Sequence, residues 1–124
     1  MSAAHLTNLR QMPCCVCSVT PAGYAHHAVG GSMLAKVGMR GAAMRASDWL
    51  ALPLCHGCHQ GEQGIHTIGV RTWEAEFGDQ AWHLERMGRK LDCDLFELAF
   101  AEMNERRAKR RYTPPTKQVP RNAA

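Results

Sequence analysis

Apolar and polar positions change their spacing part-way along the chain. From Tyr24 to Val29 the run YAHHAV has strand composition, and WLALPL from Trp49 to Leu54 reads as a second extended segment, the returning arm of a hairpin. Pro53 has no amide hydrogen to donate, which places it at a sheet edge or strand end. Beyond His66 the spacing turns helical. GVRTWEAEFG ends on a glycine suited to a helix stop, and DQAWHLERMGRKLD puts Trp82, Met87 and Leu91 near one face with Leu84 at its edge. A last helix is predicted from Asp94: Asp94 and Glu97 match a capping box, and Leu95, Leu98, Ala99 and Phe100 form its apolar stripe until Pro114 and Pro115 stop it. The remaining segments carry weaker patterns. Met1 to Pro13 reads as a polar lead-in, Cys14 to Cys17 as a tight turn ahead of the turn-forming TPAG, and Gly30 to Asp48 as a long loop with a helical turn near Ala42 to Arg45. The fold class expected is α+β, a small hairpin followed by helices.

Composition alters this in one respect. The 124 residues suit a single domain, but 11 glycines and few aromatic residues leave the first half short of bulky core material, so a staple is expected there. Six cysteines can supply it. Met1 to Gln11 lacks the apolar run of a secretory signal, and no stretch approaches the roughly 18 apolar residues of a membrane span. A cytoplasmic, reducing location follows, with no membrane partner, and there closely spaced cysteines bind metal rather than cross-link. Cys14 with Cys17 and Cys55 with Cys58 are two C-x2-C pairs whose four thiolates close a tetrahedral structural zinc site; Cys15 is an alternative to Cys14. Cys93, alone in the helical half, reads as a small core residue.

Zinc leaves the histidines unexplained. Five of the seven lie between His26 and His66. Successive residues of a strand face opposite ways, so His26 and His27 should have different tasks. His59 and His66 would share a face of a continuous helix, an arrangement that Gly61 and Gly64 disfavour.

The net charge of +4 is unevenly spread: Arg106 to Ala124 holds seven Lys or Arg residues and no acid. Such a run suits a polyanion, above all nucleic acid, although basic residues in a helix's last turns also oppose the macrodipole. Arg106, Arg107, Lys109, Arg110 and Arg111 are the candidate DNA-binding residues.

The pattern C-x2-C, A-H-H, D-x5-P-L-C-x2-C-H and a later H resembles the HNH, or ββα-metal, endonuclease superfamily over about Pro13 to Leu91. The continuation GIHTIGVRTWEAEFGDQAWHLERMGRKL is similar to the phage-type subgroup that includes the recombination enhancement (Ref-like, RecA-dependent) nucleases. The resemblance implies a zinc-stapled ββα-metal hairpin and helix at 1–92, a helix at 93–112 packing on it and a basic tail at 113–124. It implies His27 as general base, Asp48 as the group that orients it, and His26, His59 and His66 as ligands of a catalytic divalent cation. Mg or Mn is expected for that ion, with Ni or Zn also compatible with histidine ligands. The step from His59 to His66 is longer than the family's usual one, so Glu62 is an alternative last ligand. The loop after the H-H pair is richer in methionine than the family's version. DNA is the implied substrate and a recombinase filament the implied partner; oligomeric state stays open. The alternative is a non-catalytic zinc module that binds DNA or protein, with the histidines serving only the fold.

Overall fold

Ala51–Leu54 is extended because apolar neighbours cover it on both sides: all four residues are buried, with Ala51, Leu52 and Leu54 fully so. In a computed structural model that describes residues 2–37 and 47–111, this strand, β2, pairs antiparallel with β1, Tyr24–His27. Tyr24 lies opposite Leu54 and His27 opposite Ala51, so the hairpin expected from the sequence is present as a two-stranded sheet. Pro53 stands inside β2 rather than at its end, opposite Ala25, which a two-stranded sheet tolerates because each strand has a free edge.

Helices surround this ribbon: α1 (Ser2–Gln11) before β1, α2 (Met33–Val37) between the strands, and then α3 (His56–Gln60), α4 (Ile65–Ile68), α5 (Val70–Phe77), α6 (Gln80–Leu91) and α7 (Leu95–Arg111). The N-terminal segment is thus a helix and not a lead-in. Its apolar signal is faint because only a narrow stripe, His5 and Leu9 one turn apart, is buried against the strands. The segment read as one long loop contains α2, whose Met33 and Val37 enter the core; the helical turn expected at Ala42 to Arg45 lies outside the described residues.

Two apolar clusters meet at β2. The larger gathers Leu9, Met33, Leu50, Leu52, Leu84, Leu95 and Met103 among others; the smaller sets Leu54, Ile65 and Trp73 beneath the Cys14 and Cys55 turns. Each fully buried leucine contributes about 1.5–3 kcal/mol through burial. On α6 the buried face is Ala81, Leu84, Met87 and Gly88, while Trp82 and Leu91 are exposed. The buried face is therefore rotated from the expected one, because α6 packs on β2 and α7 along the Leu84–Gly88 line and Gly88 approaches the carbonyl of Cys93 closely enough to leave no space for a Cβ. Cys93 is exposed, not a core residue, since it sits in the turn joining α6 to α7. The α7 start agrees with the sequence: the Glu97 amide donates to Asp94 Oδ1 at 3.1 Å. Among the described residues no helix is long and apolar enough to cross a membrane.

Candidate metal centres

The first centre is built from two turns. Cys14 and Cys17 flank a turn in which the Ser18 amide donates to the Cys14 carbonyl at 2.9 Å, and the Cys15 amide donates to Pro53 O at 2.9 Å, fastening that turn to β2. Directly after β2, Cys55 caps α3 and Cys58 follows within it. The sulfurs of Cys14, Cys17, Cys55 and Cys58 all lie within 4.8 Å of one another, with Cys17 and Cys55 Sγ 3.6 Å apart. That separation is far longer than a disulfide bond of about 2.05 Å, and the thiols are free. Four sulfurs so placed fit a structural tetrahedral metal such as zinc and leave no open coordination position.

The choice between Cys14 and Cys15 is decided by direction. Burial alone would raise the Cys14 thiol, but backbone hydrogen bonds from Cys17, Cys55 and Val16 outweigh it and bring the group down to about 7. Such amide donors stabilise thiolate, the form that binds metal. Cys15 turns away from the other sulfurs and packs, partly buried, against both apolar clusters, where burial and the neighbouring Cys14 push its thiol up to about 12.

The second centre holds imidazoles. His26 of β1, His59 of α3 and His66 of α4 bring ring nitrogens within 4.8 Å of one another. Their ring centroids are 5.1 Å (His26–His59), 5.1 Å (His26–His66) and 4.5 Å (His59–His66) apart. Among the described residues His59 Nδ1 is buried without a hydrogen-bond partner, a cost that a metal ion bound at that nitrogen would remove. Burial, opposed by the Gln80 hydrogen bond and reinforced by the nearby imidazoles, holds His26 down to about 4, so it is neutral and able to donate a lone pair. Glu62, the alternative ligand, is exposed and outside this group.

His66 reaches His59 by a fold-back, not along one helix. After α3 the chain turns at Gly61 and Gly64, whose amide donates to Gly61 O at 2.9 Å, and then enters α4. A Cβ on Gly64 would stand 2.6 Å from backbone atoms of Gln60 and His59, so only glycine permits so tight a return.

Next to His26, His27 faces elsewhere. Its Nε2 lies 2.9 Å from Asp48 Oδ1, and both side chains are partly open to solvent, at 37% and 27%. His26 Nε2 instead meets Gln80 Oε1 at 3.2 Å. Gln80 is fully buried; its Nε2 donates to Val29 O at 2.9 Å, and its amide donates to Glu74 Oε2 at 2.8 Å. Glu74 also accepts from the Ser32 amide at 2.9 Å and the Ser32 hydroxyl at 2.5 Å. These donors overcome the effect of burial and hold the Glu74 carboxyl below its usual range. The turn that admits Glu74 needs Gly31, at φ +48°, where any side chain would collide with the carboxylate. Sequence reasoning missed Gln80, Glu74 and Ser32; nothing in their local pattern marks them, since each acquires its partners from a distant element.

Residues 1–94, which carry both centres and end just before α7, match the family described as a protein of unknown function (DUF968). The chain belongs to the DUF968 family. No curated protein and no solved structure matches it.

Of the five basic residues singled out on α7, Arg106 reaches Glu102 at 3.5 Å, one turn away, while Lys109 is exposed and Arg107 half-buried. The side chains of Arg110 and Arg111 and the segment 113–124 lie outside the described residues.

Proposed function

We propose that this chain is a metal-dependent DNA endonuclease of the HNH, ββα-metal type, with the Cys14, Cys17, Cys55 and Cys58 cluster as its structural zinc site. The observation that carries the reading is the division of labour between two adjacent histidines: His26 joins a three-imidazole cluster, and its neighbour His27 is bound to a carboxylate.

His26, His59 and His66 would hold a divalent cation, Mg or Mn by preference and Ni or Zn as alternatives. When bound, the ion supplies positive charge for the phosphoryl oxygens and the leaving 3′ oxygen. Neutral imidazole ligands leave that charge uncompensated, which favours a phosphodiester beside it. His27 Nε2–H donates a hydrogen bond to Asp48 Oδ1, and this tautomer leaves the Nδ1 lone pair free to take a proton from water. Asp48 also stabilises the imidazolium that results. Gln80 keeps the His26 ring in place from the far side, as partners behind metal ligands generally do. The products would carry 5′-phosphate and 3′-hydroxyl ends. The basic end of α7 would add phosphate contacts without selecting sequence, and a recombinase filament is the proposed partner, by the phage-type resemblance.

The test is nicking of supercoiled plasmid by zinc-loaded protein with added Mg or Mn, beside a His27→Ala variant of equal zinc content. Metal-dependent nicking that slows at least ~100-fold in the variant is expected. Equal nicking by both would refute His27 as the base, and no nicking by either, on duplex or single-stranded DNA, would favour a non-catalytic zinc module.

A further inference from the structure

A groove of about 290 Å³ runs between α6 and the Cys14–Cys17 turn, and its basic wall takes no part in either metal centre. Pro13, Cys14, Cys15 and Ser18 form one side, so the groove borders the four-cysteine cluster, and Arg86, Arg89 and Lys90 form that basic wall. Among the described residues, none of the side chains lining the groove is acidic. Arg89 and Lys90 occupy the last turn of α6, where the helix macrodipole accounts for cations. That account does not extend to Arg86 or to Trp82, one turn earlier still.

Trp82 is the unusual member of this face. It is 49% exposed, although tryptophan is a large side chain that is highly buried on average. Its ring is held in place: the Arg86 guanidinium lies 4.7 Å from the ring centroid, and the ring edge rests over Gly78, where a Cβ would meet it at 3.4 Å. An ordered, half-open indole backed by a guanidinium is a stacking platform, and a cationic groove continues from it along the same helix. This combination matches what single-stranded nucleic acid presents, a line of phosphates with unpaired bases beside it.

We propose that the Trp82–Arg86 stack and the groove of Arg86, Arg89 and Lys90 form a docking site for single-stranded DNA, in which Trp82 takes an unpaired base and the three cations take the phosphates next to it. The position of the site gives it a use in the nuclease reading, on which this orientation rests. Gln80, at the start of α6, touches the metal-cluster residue His26, and Arg89 lies nine residues further on, about 13 Å along the helix axis. One helix thus carries both, Gln80 on its buried face and Arg86, Arg89 and Lys90 on its exposed face, so a strand held in the groove lies a short length of helix from the His26, His59 and His66 cluster. The preferred substrate is DNA with an unpaired segment beside the cleavage point.

Binding without cleavage tests this. Fluorescence anisotropy of a labelled oligothymidylate of about 20 nucleotides, long enough to fill a single-strand site, and of a matched duplex would be followed across a salt series. Full-length zinc-loaded protein is used, with no added Mg or Mn. The same measurement is made on Trp82→Ala, on the triple variant R86A/R89A/K90A and on R86K/R89K, each first matched to the parent in zinc content and circular dichroism. Trp82→Ala should weaken single-strand binding about fivefold or more with the salt slope unchanged and duplex binding little affected. The triple variant should lower the slope by roughly 0.7 for each phosphate it no longer neutralises, and R86K/R89K should retain it. Single-strand affinities within twofold of the parent for Trp82→Ala and the triple variant, or no measurable binding by the parent, would overturn the proposal. Tight binding that ignores Trp82 and treats duplex and single strand alike would overturn the unpaired-base assignment. Intact binding in a chain that never nicks DNA would sink the nuclease reading and leave this site standing; active nicking with unaltered variant binding would do the reverse.

Discussion

Cys14 and Cys15 are neighbours of one chemical type, and the fold assigns them opposite tasks. Cys14 points at three other sulfurs and receives backbone donors, whereas Cys15 packs, partly buried, against the apolar clusters. Cys14→Ala should therefore abolish the thiolate-to-metal charge-transfer band of the cobalt-substituted protein and, because metal binding contributes directly to folding, unfold much of the first half. Cys15→Ala should keep that band at full intensity and lose about 1 kcal/mol of stability to the small cavity. The reverse pattern would exchange the two ligands. The sequence left this choice open, since both C-x2-C and C-x-C spacings are chemically acceptable and only side-chain direction separates them. The same holds for His26 and His27, whose different tasks follow from strand alternation while their partners, Gln80 and Asp48, come from elsewhere in the chain.

At the scale of elements, the decisive one is the return from α3 to α4. A seven-residue step between His59 and His66 looks too long for a shared site when drawn on one helix, and the fold-back at Gly61 and Gly64 resolves it. Gly64→Ala should displace α4, because its Cβ would press on rigid backbone and not on a side chain able to move aside. The expected result is a loss of at least ~1 kcal/mol in stability together with at least ~10-fold weaker divalent-metal binding at the histidines, read by calorimetry on zinc-loaded protein. The cobalt spectrum of the four-thiolate centre should survive. Unchanged metal affinity in this variant would show that α4 need not approach so closely. Helix α1 was illegible for a different reason: a short helix burying one stripe has almost no periodic signal.

For the whole molecule, buried neutral histidines set a pH limit. Burial lowers His5, against the opposing charge of Asp48, and also lowers His83, whose Nε2 donates to the Phe77 carbonyl at 2.8 Å. Both groups therefore bind protons more readily in the unfolded chain, whose ordinary value is 6.5. Their contribution is fully present above that pH and is lost as the pH falls from it toward their folded values. The urea midpoint of the zinc-loaded protein should drop as the pH is lowered from about 7.5 to about 5.5, a window that spans the ordinary histidine value, and His83→Gln should reduce that drop. A midpoint independent of pH over this range would contradict the burial of these imidazoles as neutral groups.

The sequence alone determined what short-range chemistry can specify: two cysteine pairs at metal-binding spacing, strand-like runs ahead of helical ones, the Asp94 cap and the glycines that end α5 or break the path after α3. These features are local, because spacing, capping and backbone freedom act within a few residues. Tertiary structure decided which cysteine of an adjacent pair joins the other three sulfurs, which helix faces are buried, and that His66 rather than Glu62 joins His26 and His59. It also decided the Glu74–Gln80–His26 connection and the groove beside Arg86, since those depend on where elements distant in sequence pack against one another.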